Sequence, residues 1–549
     1  MKAFRFSALA ALAAVFALGA CDDAVRGIDD ENKILDIANG AEPLSLDPHK
    51  ATGTWEANII GNMFIGLTTE DPQGRPIPGM ATNWETSDDG LTWTFFLREA
   101  KWSDGEPVTA YDFEYAFRHI LDPDNLSEYA SLLYLIKNAE AVNAKRSMPV
   151  NSIGVRAIDE KTLEIKLEYP APYLPQLLMH QTTFPIPKHV VEKYGDEWIK
   201  PAHIVVNGPY TLVKWWSNYI IELKKNPLFY DAANVCINQL YFYPTTDSDA
   251  VTRSFKNGEY GWSTRFPGSK YDLLKKEMPK QVHAAPSLLT QYLSFNMKKK
   301  PFDDPRVRRA LSMAIDREFI VDNISKSGYQ PAYQYVPPGM PNYDNSAHFD
   351  WRGEKLGQRR AEAVQLLEAA GFGPNNRLRI KYSFRSGGEG PKIAVALQGD
   401  WRELAPWIDV ELVPEETQIH YANLRAKNFD IGDGGWQGDY ADPQNFLYLL
   451  QTNAGSQNYA AYSNPEYDQL MEQANHELNP QARAALMTRA EQIMLNDNPI
   501  IPLTIGASQN LVSQRLTGYA DNISDVHRAR WMCFADLAST TIQKSSMNR

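Results

Sequence analysis

The chain has 549 residues and a formal charge of −12 at pH 7. This acidic balance disfavours nucleic acid and anionic lipid as partners, because both bind basic surfaces. The length exceeds the ~250–300 residues at which a single hydrophobic core stops growing, and so predicts two or three lobes.

The first 20 residues predict a secretory signal. Lys2 and Arg5 precede an uncharged, mostly apolar run over residues 6–20. The run is shorter than the ~20 apolar residues that a membrane-spanning helix needs. The rest of the chain has no comparable stretch. Because of the secretory signal, we expect the protein to work outside the cytoplasm.

The signal ends in Leu18-Gly19-Ala20-Cys21, which resembles a bacterial lipobox. In a lipobox the cysteine is acylated and becomes the first residue of the mature chain. The alternative is an ordinary signal peptide with a cysteine nearby. Acidic residues directly after Cys21 indicate retention at the periplasmic face of the inner membrane, in a host with two membranes. The acidic stretch 22–33 is predicted to be the tether, and 538–549 to be frayed.

Two cysteines remain once Cys21 is assigned to the lipid, Cys236 and Cys533. Neither belongs to a CxxC motif or to a Cys/His cluster with zinc spacing, so no metal site is predicted. A disulfide between them is possible in an oxidising compartment, and the sequence leaves it open.

Periodicity predicts mixed α and β structure without repeats. Thr109 and Asp112 predict a capping box at one helix start, and Gly371 a left-handed end at another. The predicted elements, in chain order, are strand 91–98, helix 110–121, strand 163–168, a β-rich stretch 211–225, a helix opened by Asp304-Pro305, helix 360–370 and helix 481–496.

Catalytic signatures are absent from the sequence: it has no GxSxG, HExxH or GxxxxGK[ST] motif. The glycine-rich run 432–438 misses the dinucleotide fingerprint, because Gln437 stands where the third glycine belongs. An enzyme is not excluded, but no catalytic residue, cofactor or metal is predicted.

The same run has the features needed to hold an extended peptide. Four glycines in seven residues allow close backbone approach, Trp436 can cover an apolar group, and Asp439 can meet a cation. Taken alone, a glycine-rich turn with a nearby aspartate is more often an ordinary loop.

Segments along most of the chain carry a family resemblance. They are Glu42-Pro43-Leu44-Ser45-Leu46-Asp47-Pro48-His49-Lys50, Phe64-Ile65-Gly66-Leu67, Pro78-Gly79-Met80-Ala81 with Trp84, Trp93-Thr94-Phe95 with Leu97-Arg98, the run from Lys101 to Ala110, Asn207-Gly208-Pro209-Tyr210, Asp304-Pro305-Arg306-Val307-Arg308-Arg309-Ala310 and the run from Gly435 to Pro443. From about Glu42 to Tyr519, in order and at similar spacing, they resemble the solute-binding proteins of peptide ABC importers, the oligopeptide- and dipeptide-binding family (family 5).

This resemblance implies an α/β, two-lobed periplasmic-binding-protein fold of type II, in its three-domain peptide-binding variety with mixed β-sheets. After the signal peptide 1–20, it places domain I at 22–64, 189–291 and 506–549, domain II at 65–188, and domain III at 292–505. It also implies a monomer that closes about a hinge over its ligand and delivers it to an inner-membrane permease with ATPase subunits.

The resemblance also implies a ligand-binding site. The matching positions are Asp439 for the peptide's α-ammonium, Gly435, Trp436 and Gln437 for a strand that pairs with the ligand backbone, Thr52 and Thr54 for an opposing strand from domain I, and Tyr129 for an aromatic from domain II.

Two positions depart from a well-studied oligopeptide branch. Asp433 stands where that branch has an arginine, and Thr417 stands near the position of a pocket tryptophan. These changes indicate a different ligand length or tolerance for basic side chains. Alternatively, Asp433 forms a structural salt bridge with a local arginine such as Arg425.

The function predicted is therefore high-affinity capture of peptides for an ABC importer, without catalysis and without a cofactor. Within the same scaffold the alternatives are a nickel chelate, a sugar, an opine or a cell-wall peptide. A secreted hydrolase and a sensing or chaperone-like role also remain open.

Overall fold

The computed structural model describes residues 27–535. The predicted signal peptide, Cys21 with its predicted acylation, and the segment 538–549 that was predicted to fray lie outside this range. The strands are β1 Ile28–Asp29, β2 Ile34–Ala38, β3 Thr68–Glu70, β4 Pro76–Pro78, β5 Ala81–Thr86, β6 Thr92–Leu97, β7 Val155–Ala157, β8 Thr162–Lys166, β9 Tyr210–Trp216, β10 Ile220–Lys225, β11 Gln239–Tyr243, β12 Trp262–Ser263, β13 Val282–His283, β14 Pro286–Phe295, β15 Gln330–Pro331, β16 Leu378–Arg385, β17 Ile408–Glu415, β18 Ile431–Gln437, β19 Ile500–Ala507, β20 Asn510–Val512, β21 Leu516–Thr517 and β22 Cys533–Phe534.

Helices alternate with these strands along the chain. They are α1 Thr54–Met63, α2 Ala110–Leu121, α3 Ala139–Asn143, α4 Leu174–Leu177, α5 Lys188–Tyr194, α6 Ser248–Lys256, α7 Tyr271–Glu277, α8 Pro305–Met313, α9 Arg317–Phe319, α10 Leu356–Ala369, α11 Gly390–Leu404, α12 Thr417–Arg425, α13 Gln444–Leu447, α14 Pro465–His476 and α15 Pro480–Asp497.

The largest sheet combines strands from both ends of the chain. Its order is β13-β20-β12-β2-β11-β10-β9, with β1 pairing β2 outside this path. β2 runs parallel to β11 and β12, whereas β9, β10 and β11 pair antiparallel. The sheet is therefore mixed, with the β9–β10 hairpin at one edge.

A second, six-stranded sheet has the order β15-β19-β14-β18-β16-β17. β14 pairs antiparallel with β18 along the whole of β18, from Phe295↔Ile431 to Leu289↔Gln437. On the other side, β16 pairs with β18 only at Ile431 and Gly432. The part of that edge from Gly434 to Gln437 pairs with no strand within residues 27–535.

The third sheet has the order β5-β6-β8-β7. In its strand β6, side-chain burial alternates from residue to residue, as expected when one face of a sheet is covered. Trp93, Phe95 and Leu97 of β6 are buried while the residues between them are half-buried. α2 covers this sheet with its apolar face. Its residues Phe113, Phe117 and their neighbours pack in the same core as β6.

Buried apolar side chains form two large clusters. One contains Leu35 of β2 and Phe95 of β6. The other contains Leu293 of β14, Ile431 of β18 and Met494 of α15. The number of clusters agrees with the expectation that a chain of this length needs more than one core. The domain limits listed above stay a prediction.

Several predicted elements are confirmed, including α2, whose bounds and capping box on Thr109 and Asp112 are as predicted. The helix predicted at 360–370 begins four residues earlier, at Leu356, after the extended Lys355. Gly371 ends it with φ of +92°, a conformation that favours glycine.

The predicted tether 22–33 is wrong over its second half. Residues 28–29 form β1, and Ile28 is buried in the core. Acidic composition suggested a solvated linker, but Asp29 instead accepts a hydrogen bond from the backbone N–H of Asn32 in the turn that follows, and Asp30 pairs with Arg515. The folded body therefore begins no later than Gly27.

Cys236 and Cys533 form a disulfide, the question that the sequence left open. Their Cα atoms lie 5.2 Å apart, and the bond joins positions separated by 297 residues. It ties the last described strand, β22, to the loop before β11.

Candidate functional site

Asp439 lies two residues after β18, in a half-buried position. Its backbone N–H donates to Oδ1 of Asn445 at 3.1 Å. Within residues 27–535 its carboxylate forms no ion pair with a lysine, arginine or histidine. Burial raises the pKa of Asp439 to about 6, against a hydrogen bond with Asn445 that lowers it. An ionised carboxylate here lacks a protein cation to balance it.

The strand before Asp439 positions an aromatic wall. Nε1 of Trp436 donates to the same Asn445 Oδ1, at 2.9 Å. The Trp436 ring meets Tyr448 edge-on, with 6.1 Å between centroids. Asn445 therefore fixes both the indole and the backbone that leads to the carboxylate.

A cavity of about 330 Å³ brings these groups together with Tyr129 from the segment between α2 and α3. The pKa of Tyr129 is raised by burial first and by the charge of Asp439 second, which reflects how near the two side chains are. The cavity walls are rich in tyrosine. Trp436, Asp439 and Tyr129, predicted as site residues, thus line one space.

The loop after Asp439 is fixed against the segment that carries α4. Tyr440 stacks on Tyr173, with 5.1 Å between centroids and 5° between planes. Arg483 pairs with Asp442 through two hydrogen bonds of 2.6 and 2.8 Å, and its guanidinium lies 5.5 Å from the Tyr173 ring. All these side chains are buried. The loop that carries Asp439 is therefore held by tightly packed neighbours.

The other predicted site residues are more scattered. Gly435 lies within β18 and Gln437 ends it, exposed to solvent. Thr52 and Thr54 lie on no strand: Thr52 precedes α1 and Thr54 begins it, and both are exposed. The predicted opposing strand is therefore wrong, because Glu56 accepts hydrogen bonds from the backbone of this segment and holds it as a helix start. A ligand role for Thr52 and Thr54 stays a prediction.

Asp433 contacts two basic side chains of the protein itself. Nε of Arg385 donates to its Oδ2 at 2.9 Å, and Nε2 of His420 lies 2.6 Å from its Oδ1. The proposed alternative of a salt bridge is confirmed, but the arginine is Arg385 and not Arg425. β16 and β18 run parallel as neighbours, which places residue 385 beside residue 433.

Protonation in this cluster follows from the contacts. Burial works against a charged His420, but its hydrogen bonds with Asp433 and Glu415 outweigh burial and raise its pKa. Burial likewise opposes ionisation of Asp433, yet the hydrogen bond from His420 and the charge of Arg385 lower its pKa. Asp433 is thus an ionised and balanced carboxylate, unlike Asp439.

Asp433 and Thr417 line a second cavity, of about 380 Å³, together with Arg385 and Glu389. Thr417 is the first residue of α12. The two departures from the oligopeptide branch therefore lie in one place. Their effect on ligand choice stays a prediction.

Sequence reasoning missed Asn445, Tyr448, Arg385 and His420. Asn445 and Tyr448 follow the glycine-rich run closely, but nothing in their local pattern distinguishes them from helix residues. Arg385 is 48 residues from its partner, so only strand pairing reveals it.

Among the residues described, no group of three or more His, Cys, Asp or Glu side chains is arranged to hold a metal ion. The described helices also include none that is long and apolar enough to cross a membrane.

Comparison with known proteins decides the family. The model described as bacterial extracellular solute-binding proteins, family 5 middle, matches residues 75–458. The chain belongs to this family. The periplasmic oligopeptide-binding protein OppA of Escherichia coli K12 is 37% identical over 497 residues, covering 89% of this chain and 90% of the relative. The periplasmic murein peptide-binding protein MppA of the same organism is 35% identical over 496 residues, covering 89% and 91%.

Solved structures agree. The unliganded open form of the murein tripeptide-binding protein MppA superposes with a TM-score of 0.86 at 34% identity, covering 93% of this chain and 98% of that one. OppA of Haemophilus influenzae in complex with the peptide RPPGFSPFR gives 0.72 at 33% identity, covering 92% and 99%. The resemblance carried by the motifs and the α/β fold class of the periplasmic peptide-binding proteins are confirmed.

Proposed function

We propose that this protein captures peptides outside the cytoplasm and delivers them to an ABC permease, without chemical change to the ligand. The observation that carries the proposal is Asp439, a half-buried carboxylate with a pKa of about 6 and no protein cation beside it. A peptide's α-ammonium would supply that cation through a charge-assisted hydrogen bond. It would also remove the cost of burying an unpaired charge.

The strand that leads to Asp439 supplies the second requirement. From Gly434 to Gln437 one edge of β18 pairs with no strand within the described chain. An extended peptide added to this edge would pair through its main chain, whatever its side chains. Trp436, Tyr448 and Tyr129 would then cover the first side chains of the ligand. This arrangement suits a receptor for peptides of varied sequence.

In this proposal the lobes close over the ligand by a hinge, as domains of binding proteins do. The receptor works as a monomer, without cofactor or metal. An acyl group on Cys21 holds it at the membrane, next to the permease and its ATPase subunits. These points rest on the motifs and on the nature of the relatives.

A second candidate ligand is a cell-wall peptide, because relatives of this chain include murein peptide-binding proteins. Such a peptide also carries an amino group for Asp439. The two candidates differ in the ligand, not in the site.

Mass spectrometry of ligands released by denaturing the purified protein tests the proposal. Peptides of two to several residues are the expected result. D-amino acids in them would select the cell-wall candidate. Sugars, metal chelates or bile-acid-like compounds would refute peptide capture and leave the fold unaffected.

A further inference from the structure

The turn between β9 and β10 presents exposed aromatic side chains. Trp216 is 56% exposed and Tyr219 43%. Their ring centroids lie 4.8 Å apart, and Nζ of Lys214 lies 5.0 Å from the centroid of Trp216. We call residues 214–219 the hairpin tip. It is held in place because Nε1 of the neighbouring Trp215 donates to Glu42 at 2.9 Å.

The described chain begins in the same sheet, beside β2. The N–H of Asp36 donates to the carbonyl of Gly27 at 2.9 Å, so Gly27 lies beside the middle of β2. β2 and β11 run parallel, with Ile37 opposite Phe242. Phe242 is paired with Ile221, the second residue of β10. The hairpin tip therefore lies beyond the carboxyl end of β2, the direction in which β1, antiparallel to β2, leads back from Asp29 to Gly27.

The spacing between neighbouring strands gives the distance between Gly27 and the hairpin tip. β1 and β9 are separated by four steps, through β2, β11 and β10. At ~4.8 Å a step this is about 19 Å. Cys21 precedes Gly27 by six peptide units, which reach at most ~21 Å when fully extended. An acyl group on Cys21 thus keeps Gly27 within about 21 Å of the bilayer surface. The hairpin tip lies about as far from Gly27, so the tether lets the tip reach that surface.

We propose that the hairpin tip is a contact with the phospholipid surface. Trp216 and Tyr219 would lie at headgroup level, where amphipathic rings of this kind concentrate. The methylene stem of Lys214 would add apolar surface beside the indole. The proposal rests on the acylation of Cys21 stated under the proposed function. It orients the carboxyl end of β2, from which the chain leads to α1, towards the membrane and the permease.

A single fluorescent label tests this contact. Ser217→Cys introduces one reactive thiol at the tip of the full-length acylated protein, because Cys21 is blocked by the lipid and the other two cysteines are bonded to each other. The labelled protein is reconstituted in phosphatidylcholine vesicles with and without nitroxide-labelled phosphatidylcholine. We expect the emission of the label to shift to the blue on vesicles and to be quenched by the nitroxide lipid. The matched control carries W216S and Y219S with the same label, and both signals should be lost.

Four outcomes would overturn the proposal. Equal quenching with and without the aromatic pair would mean that the tether alone brings the tip to the surface. Quenching that appears only when an ABC permease is added to the vesicles would make the occupant a protein. A mass spectrum without an acyl group on Cys21 would refute the anchoring as well. Acylated, vesicle-bound protein with an unquenched label would refute the contact alone, and peptide binding by every variant checks folding.

Discussion

Peptide affinity should depend on pH through Asp439. Without ligand its pKa is about 6. Pairing with the α-ammonium should return the pKa to its ordinary value of 3.8, because the opposite charge favours the ionised form. Binding then requires loss of a proton from the free protein below pH 6. Affinity is therefore full above that pH and falls as the pH drops through it.

The size of the effect follows from those two values. A site that must ionise from a pKa of about 6 binds about tenfold more weakly at pH 5 than at pH 7. The α-ammonium, with a pKa near ~8, stays charged over this range. Calorimetric titration with a short peptide of neutral side chains measures the dissociation constant at each pH. The N-acetylated peptide, which has no ammonium, should show no comparable loss.

Substitution separates Asp439 from the other titrating groups. Asp439→Asn removes one partner of the proposed buried pair, which typically costs ~3–5 kcal/mol, or roughly 10²- to 4 × 10³-fold in affinity. Its remaining binding should no longer weaken between pH 7 and pH 5. Glu128→Gln is the matched control, because Glu128 lines the same cavity but is exposed. A flat profile for the wild type, or equal losses for free and acetylated peptides in the Asn variant, would refute the ammonium role.

Three further outcomes are expected. Cys21→Ser should move the protein from the membrane fraction to the soluble fraction, and retention at the membrane would contradict acylation. Arg385→Ala should lower the free energy of unfolding by about 1–3 kcal/mol, less than for a fully buried pair because 31% of the Arg385 side chain is exposed. The control Arg425→Ala breaks no contact with Asp433 and should change the free energy of unfolding little. Equal losses for the two variants would contradict the assignment of Arg385 as the partner of Asp433. Reduction of the disulfide should destabilise the fold by roughly 2–4 kcal/mol, since it closes a long loop, and an unchanged denaturation midpoint under reductant would contradict it.

Local patterns predicted the elements whose signals are themselves local. The helix 110–121 has a capping box at its start and one apolar face, and both are written in a dozen consecutive residues. Strand β6 alternates buried and half-buried residues in the same way. Residues 22–33 show the limit of this reasoning. Their acidic composition resembles a linker, yet Ile28 is buried because β2 lies beside it and offers an apolar surface.

In the candidate site, too, residues within family motifs were predicted, whereas contacts between distant parts of the chain were not. Asp439, Trp436 and Tyr129 were predicted from motifs, which are short stretches of chain with a family likeness. The partner of Asp433 was not, because Arg385 reaches it through the pairing of β16 with β18. Thr52 and Thr54 were predicted to lie on a strand, because the sequence does not show that the Glu56 carboxylate accepts hydrogen bonds from this backbone and starts α1.

The sequence by itself determined the family, the mixed α/β class, the expected compartment and the chemistry of the glycine-rich run. Each of these depends on residue types and on their spacing along the chain. Only the tertiary structure decided which charges are balanced: Asp433 has an arginine and a histidine within 3 Å, whereas Asp439 has no lysine, arginine or histidine partner in the described chain. The reason is physical. Coulomb energy depends on distance in space and on burial, and neither follows from distance along the sequence.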